Sequence, residues 1–313
     1  MDFSFLNNIY DPFFRKTVER WVLELPGAGC EWFKKTGGCT MCGFNQSTYK
    51  YTFGGKLYPH VVFMLIFYYA YWLIRKTQPE IMVIYNGGSF LSDKEIPLKT
   101  QLAILNFVRK HKTIKKIMVE SRAEFVTEEK LKLYQKAIGN KELEIALGLE
   151  SADDKVRNEC LAKGLTKETF ENAVKTCKKF GFQTFAYVFL KPHCLAEKEA
   201  VEDAVKSIEY CFQVGVDEVS LSCAFVQEGT LLHKLYQDGE FQPPTLWSII
   251  EVIQRTAHLG PVRIGSFDDD PPPIAQPKSC PKCDWEVLYA IGQYRKTQNP
   301  DSFNGLTCTC KTN

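Results

Sequence analysis

Short β-branched and aliphatic runs alternate along the chain with longer stretches in which apolar residues recur every three or four positions. That alternation is the pattern of repeated strand–helix units around a parallel sheet. It predicts strands over Trp21–Leu25, Ile81–Tyr85, Lys116–Glu120, Leu143–Leu149, Thr184–Leu190 and Glu218–Cys223. Helices are predicted near Pro59–Lys76, Lys94–Lys110, Thr127–Ala137, Thr166–Phe180 and Glu197–Val214. Thr127 precedes Glu128 and Glu129, and Thr166 precedes Glu168, which places a capping hydroxyl and acid at two helix starts. Gly181 and Gly215 stand where two helices should stop. Val61–Ile74 (VVFMLIFYYAYWLI) is apolar throughout. It is shorter than the roughly 20 residues that cross a bilayer, so it reads as a helix buried on one side and not as a membrane span.

Six strands are fewer than the eight of a closed barrel, so an α/β fold with a partial (β/α)6 barrel is expected over residues 21–270. Residues 1–20 read as an N-terminal extension. Pro271-Pro272-Pro273 marks a boundary, because consecutive prolines end both helix and sheet. Residues 271–313 form a small extension, too short to hold a core without a metal or docking onto the barrel.

In barrels of this kind chemistry gathers at the C-terminal ends of the strands. Five successive ends carry polar or glycine-rich loops: Cys30, Asn86-Gly87-Gly88-Ser89, Glu120-Ser121-Arg122, Glu150-Ser151 and Lys191-Pro192-His193. Cys30, Cys39 and Cys42 make a C-x8-C-x2-C array directly after the first strand. Three thiolates leave one iron of a four-iron cluster open to another ligand, whereas a structural zinc site normally takes four protein ligands. Gly37-Gly38 lets the backbone fold tightly beside Cys39. Cys280, Cys283, Cys308 and Cys310 form two close pairs about 25 residues apart, the composition of a zinc ribbon and also of a closed iron–sulfur cluster. Cys177 and Cys211 fall on helical stretches and read as small core residues.

The chain holds 12 cysteines but shows no export signal and clusters seven of them at metal-ligand spacings. A reducing cytoplasm with thiolate-bound metal suits this better than disulfides. With 39 basic and 37 acidic residues the net charge is +2, which gives no broad electrostatic footprint for nucleic acid.

The cysteine array, with Met41 just before Cys42, resembles the radical SAM (S-adenosylmethionine) superfamily, whose usual spacing is C-x3-C-x2-C. The longer first gap is similar to the branch containing the elongator catalytic subunit and, more closely, the radical SAM subunit of archaeosine synthase. Asn86 to Phe90 resembles the motif that binds the SAM amino group, Glu120-Ser121-Arg122 an E-[ST]-R signature, and Leu147 to Ser151 an LGLES segment. Lys163-Gly164, Lys191-Pro192, Gly229-Thr230-Leu231 and Pro243-Pro244 with Leu246-Trp247-Ser248 follow in order.

The resemblance implies a [4Fe-4S] cluster on Cys30, Cys39 and Cys42. It implies SAM held by Met41, Gly87, Gly88, Ser89, Glu120, Ser121, Arg122, Glu150, Ser151 and Lys163, and reductive cleavage of SAM to a 5′-deoxyadenosyl radical. A ferredoxin or flavodoxin would supply the electron. The substrate implied is a tRNA nucleoside, a lysine adduct of a deazaguanine whose C–N bond is cleaved, with a partner transferase subunit. Three rivals remain at the level of sequence. One is a radical SAM enzyme for a free small molecule or peptide. Another is a non-catalytic zinc scaffold, and the last a lyase using Lys191 as a Schiff base.

Overall fold

The computed structural model describes residues 3–43, 54–267 and 272–312. Met1 and Asp2 of the expected N-terminal extension, and Pro271 of the triple-proline boundary, lie outside the described residues. Among the described residues, eight strands form one mixed sheet whose spatial order follows the sequence: β1 (Ser4–Asp11), β2 (Lys16–Glu24), β3 (Ile81–Tyr85), β4 (Lys116–Ser121), β5 (Glu142–Glu150), β6 (Gln183–Leu190), β7 (Glu218–Cys223) and β8 (Val262–Ile264). All six predicted strands are present, and β1 and β8 are additions. The chain divides into two compact units, the described parts of residues 1–38, 44–148 and 166–185, and of residues 39–43, 149–165 and 186–313.

In the first unit β1 pairs antiparallel with β2, from Ser4 opposite Leu23 to Asp11 opposite Lys16. β2, β3, β4 and β5 then pair in parallel. The middle strands are buried on both faces, as parallel strands between helices must be: Ile81, Met82, Val83 and Ile84 of β3 are all core. The hairpin turn is held by Asp11, whose Oδ1 accepts the N–H groups of Phe13 and Phe14 at 3.0 and 3.1 Å. Its Oδ2 receives Lys116 Nζ at 3.1 Å, and Glu144 takes the same ammonium at 3.0 Å. Lys116 is fully buried, and this double pairing offsets the cost of taking its charge out of water.

The helices of this unit are α1 (Glu31–Thr36), α2 (His60–Ile74), α3 (Leu98–Lys110), α4 (Glu128–Ile138) and α5 (Lys167–Lys179). Thr127 and Thr166 cap α4 and α5 by accepting the N–H groups of Lys130 and Thr169 at 3.3 and 3.1 Å, as their sequence context predicts. α2 buries Phe63, Phe67, Ala70 and Ile74, one face at helical spacing. Phe67 meets Trp21 and Phe107 at ring distances of 5.8 and 4.9 Å. No described helix is long and apolar enough to cross a membrane.

The second unit holds the ends of β5 and β6, a π-type turn over Val156–Cys160, α6 (Glu197–Gln213), β7, α7 (Leu231–Gln237), α8 (Leu246–Thr256), β8 and α9 (Asp284–Thr297). Gly229-Thr230-Leu231 and the segment before Leu246 prove to be helix starts. Thr230 caps α7 and Thr245 caps α8, each accepting an N–H at 3.1 Å. α9 is pinned to β8 by Tyr294, which donates its hydroxyl to Val262 O at 2.6 Å. Cys177 of the first unit and Cys211 of the second are fully buried core residues, as expected.

Candidate active site and metal centre

In the first unit a loop leaves β2 and delivers Cys30 to the start of α1, where it occupies the N-cap with extended backbone. The thiol is free and half-buried. α1 ends at Gly37, and both Gly37 and Gly38 take positive φ (+90° and +85°), a turn that glycine makes without a Cβ clash.

The glycine loop after β3 lies against this cysteine. A Cβ on Gly88 would stand 1.9 Å from Glu95 Oε2 and 3.2 Å from Cys30 Cα, so any side chain there would displace the Glu95 carboxylate. Glu95 is fully buried and joins the two loops. Its Oε2 accepts Ser89 N–H at 2.5 Å, its Oε1 accepts Glu31 N–H at 3.0 Å, and its carbonyl accepts Ala28 N–H at 3.1 Å. Burial pushes the carboxyl up to about 7, opposed by the two backbone N–H bonds. Sequence reading missed Glu95, because Ser-Asp-Lys-Glu looks like a solvated turn.

The end of β4 docks on the same loop. Arg122 N–H donates to Ser89 Oγ at 3.1 Å, and Phe90 N–H to Glu120 O at 2.8 Å. The Arg122 guanidinium lies 4.8 Å from the Trp32 ring centre and bonds Glu124 at 2.5 Å. Ser121 turns its hydroxyl onto Arg122 O at 2.9 Å.

In the second unit Cys39 and Cys42 close a turn, Cys42 N–H to Cys39 O at 3.1 Å, and both cysteines are half-buried and outside any disulfide. Thr40 moors this turn to the π-type turn: its N–H reaches Leu161 O at 3.1 Å and its hydroxyl Cys160 O at 3.0 Å. Met41 packs on the apolar cluster of Leu161, Phe189 and Val226, which fixes the turn through its side chain. Glu150 ends β5 with φ +69°, a left-handed conformation costly for a side chain. Its carboxylate takes Lys163 Nζ at 2.7 Å, and both residues are buried. Glu150 and Lys163 are therefore brought together as an ion pair.

Ser151 donates its hydroxyl to Asp203 Oδ1 at 2.7 Å, a partner absent from the sequence reading. Burial raises the Asp203 carboxyl from 3.8 to about 6. The folded state thus holds this proton more tightly than the unfolded chain. The stability it brings is full below about 3.8 and lost as pH rises through about 6. We expect Asp203→Asn to flatten the pH dependence of unfolding free energy across that window by about 3 kcal/mol, measured by urea titration at a series of pH values. An unchanged slope would show that Asp203 does not titrate on folding.

One expectation is corrected here. The sequence favours thiolate-bound metal over disulfides and leaves Cys160 and Cys194 unassigned, yet these two are bonded, with Cα atoms 6.1 Å apart. Their separation of 34 residues and the lack of any local motif hide the pair from sequence.

Among the described residues, the group of potential ligands whose donor atoms all lie within 4.8 Å of one another is Cys280, Cys283, Cys308 and Cys310. Cys30, Cys39 and Cys42 are not part of such a group. A four-iron cluster holds its cysteine sulfurs farther apart than a single ion does. The donor chemistry of the two sets fits their expected roles. Three soft sulfur donors in glycine-flanked backbone suit an iron–sulfur cluster with an open iron, and the four-thiol set suits one enclosed metal. We expect Cys283→Ser to remove the metal of the C-terminal set and lower the melting temperature by several degrees. Metal analysis beside thermal unfolding checks this, and a variant that keeps both metal and melting point would refute it.

A family model described as the radical SAM superfamily matches residues 26–204. The chain is 35% identical over 295 residues to archaeosine synthase subunit beta of Methanosarcina acetivorans, spanning 91% of this chain and 80% of that protein. It is 31% identical to archaeosine synthase subunit beta of Thermococcus kodakarensis, over 73% of this chain and 69% of that one. Among solved structures, archaeal Elp3 from Methanocaldococcus infernus superposes with a TM-score of 0.55 at 19% identity, covering 79% of this chain and 60% of the other. Methylornithine synthase does so with a TM-score of 0.55 at 14% identity, covering 78% and 64%. These two likenesses show the fold.

Proposed function

The chain belongs to the radical SAM superfamily, and from that premise we propose that it is the radical subunit of a tRNA-modifying enzyme of the archaeosine synthase kind. The observation that carries this reading is the 35% identity to an archaeosine synthase subunit beta across 91% of the chain. The proposed reaction is cleavage of a C–N bond in a lysine–deazaguanine adduct on tRNA, leaving the amidine. A partner transferase subunit would form the adduct, and a ferredoxin or flavodoxin would deliver the electron. The proposed location is cytoplasmic.

Cys30, Cys39 and Cys42 are the proposed ligands of a [4Fe-4S] cluster. Bound there with SAM, the cluster supplies one-electron reduction of the sulfonium and hence a 5′-deoxyadenosyl radical. The chain's own groups bind and orient. The Asn86–Ser89 loop offers backbone to the amino-acid end of SAM, and Glu95 holds that loop against the backbone around Cys30. Glu120, Ser121 and Arg122 support the loop from β4, while Arg122 and Trp32 offer a cation and a ring face. Glu150 and Lys163, paired and buried, are proposed to share the SAM amino and carboxylate groups, with Ser151 steadied by Asp203. Thr40 and Met41 fix the second and third cysteines on a rigid apolar base.

For the C-terminal cysteines we propose zinc. A tetrahedral ion with Zn–S bonds of about 2.3 Å sets its sulfurs about 3.8 Å apart. The Cys280–Cys283, Cys280–Cys308 and Cys283–Cys310 sulfur separations are 3.6, 3.6 and 3.5 Å. The function is tested by incubating the reconstituted, reduced protein with SAM and tRNA bearing the lysine adduct, then digesting the tRNA for nucleoside analysis. Appearance of the amidine with 5′-deoxyadenosine supports the reading. Formation of 5′-deoxyadenosine with the adduct left intact would remove this substrate.

A further inference from the structure

Two features lie on one side of the first unit, an outer strand edge and an outward helix face, and no described strand or helix covers either of them. β1 is an edge strand whose hydrogen-bonded neighbour is β2 alone. Its eight residues, SFLNNIYD, contain neither lysine nor proline, the devices that normally blunt an edge against pairing with another chain. α2 packs beside β1, with Tyr69 stacked on Phe3 at 6.2 Å, and its outward face is apolar. Val61, Leu65, Tyr68, Tyr69, Trp72 and Leu73 are 47–65% exposed, and α2 carries no Lys, Arg, Asp or Glu over its 15 residues. Side chains of this size present on the order of 600 Å², at the upper end of what a monomer leaves open to water.

We propose that this face is a homodimer interface, in which β1 of two copies pair antiparallel across a two-fold axis and the α2 stripes pack against each other. An antiparallel strand is its own complement, and an uncharged stripe meets its own copy without burying an unpaired charge. A stable interface takes about 800 Å² per partner. The stripe supplies most of that area, and the strand edge with Phe5, 38% exposed, supplies the rest. The charges that flank α2 in sequence are of one sign: Lys56 precedes it, and Arg75, whose guanidinium lies 4.3 Å from the Trp72 ring centre, and Lys76 follow it, all exposed. In the dimer they repel across the rim, so salt tightens the association by screening. A surface built to steer an acidic partner would respond in the opposite sense.

Light scattering coupled to size exclusion tests the proposal on the full chain. The native protein is expected at twice the single-chain mass of 35.9 kDa. The Leu65→Lys/Trp72→Glu variant is expected at that single-chain mass, with unchanged far-ultraviolet circular dichroism. Trp285→Lys, on an exposed site of α9, controls for nonspecific loss of an aromatic and is expected to stay dimeric. A native protein that runs as one chain at concentrations well above micromolar overturns the proposal. So does a Leu65/Trp72 variant that keeps the double mass, or an association that salt weakens.

Discussion

Alanine at Cys30, Cys39 and Cys42 together is expected to reduce 5′-deoxyadenosine formation to the no-enzyme background and to strip the protein of cluster iron. The reason is the donor set. A cluster that reduces SAM needs three thiolates and one open iron, and these are three half-buried cysteines outside any disulfide, on glycine-flanked backbone. Cys177→Ala is the control, because that cysteine is also outside any disulfide but fully buried on α5. It should keep its iron and its product while losing about 1 kcal/mol of stability. Iron analysis and product chromatography under anaerobic conditions read both variants. If the triple variant retained iron and made product, the cluster would be held elsewhere.

The second large effect is expected at Glu95. Its carboxylate accepts one N–H from the glycine loop and one from the residue after Cys30. Glu95→Gln keeps the shape but turns an amide NH2 toward one of those donors, so one buried N–H loses its acceptor. Bonds to a charged group are worth about 1.5–3 kcal/mol. If the glycine loop holds SAM, a loss of that size loosens it and weakens SAM binding by about tenfold or more. Equilibrium dialysis with labelled SAM on the reconstituted protein measures this apart from turnover. Glu95→Asp, which restores the charge on a shorter stem, should recover part of the affinity. Unchanged SAM affinity in Glu95→Gln would show that Glu95 only packs the loop.

The fold was legible where local chemistry and hydrophobic period agree. Ile81–Tyr85 and Glu218–Cys223 are strands over the predicted bounds, because short β-branched runs between turn signals have few alternatives. α4 and α5 begin beside their capping threonines for the same reason. β1 escaped because Asn7-Asn8 interrupts its apolar pattern, and it is held by the facing strand rather than by its own propensity. β8 is only three residues long, below what any pattern can mark. At the site, the sequence displayed residues with an obvious chemical task, the cysteines and the glycines. It concealed Glu95 and Asp203, whose importance comes from what the fold brings to them: backbone N–H groups from two loops in one case, a serine hydroxyl 52 positions away in the other.

The sheet's strand order, the same as the sequence order from β1 to β8, has a consequence for biosynthesis. As the chain leaves the ribosome, each new strand finds its neighbour already synthesised, and no gap must be held open for a strand still to come. Each helix between paired strands can fold down on a sheet that is already started. Such sequential pairing keeps loop closures short and limits how long a bare sheet edge stays exposed. The advancing edge moves from β2 toward β8 as synthesis proceeds, while the opposite edge, β1, is exposed from the start. Two copies translated close together could therefore meet along β1 before either has finished emerging.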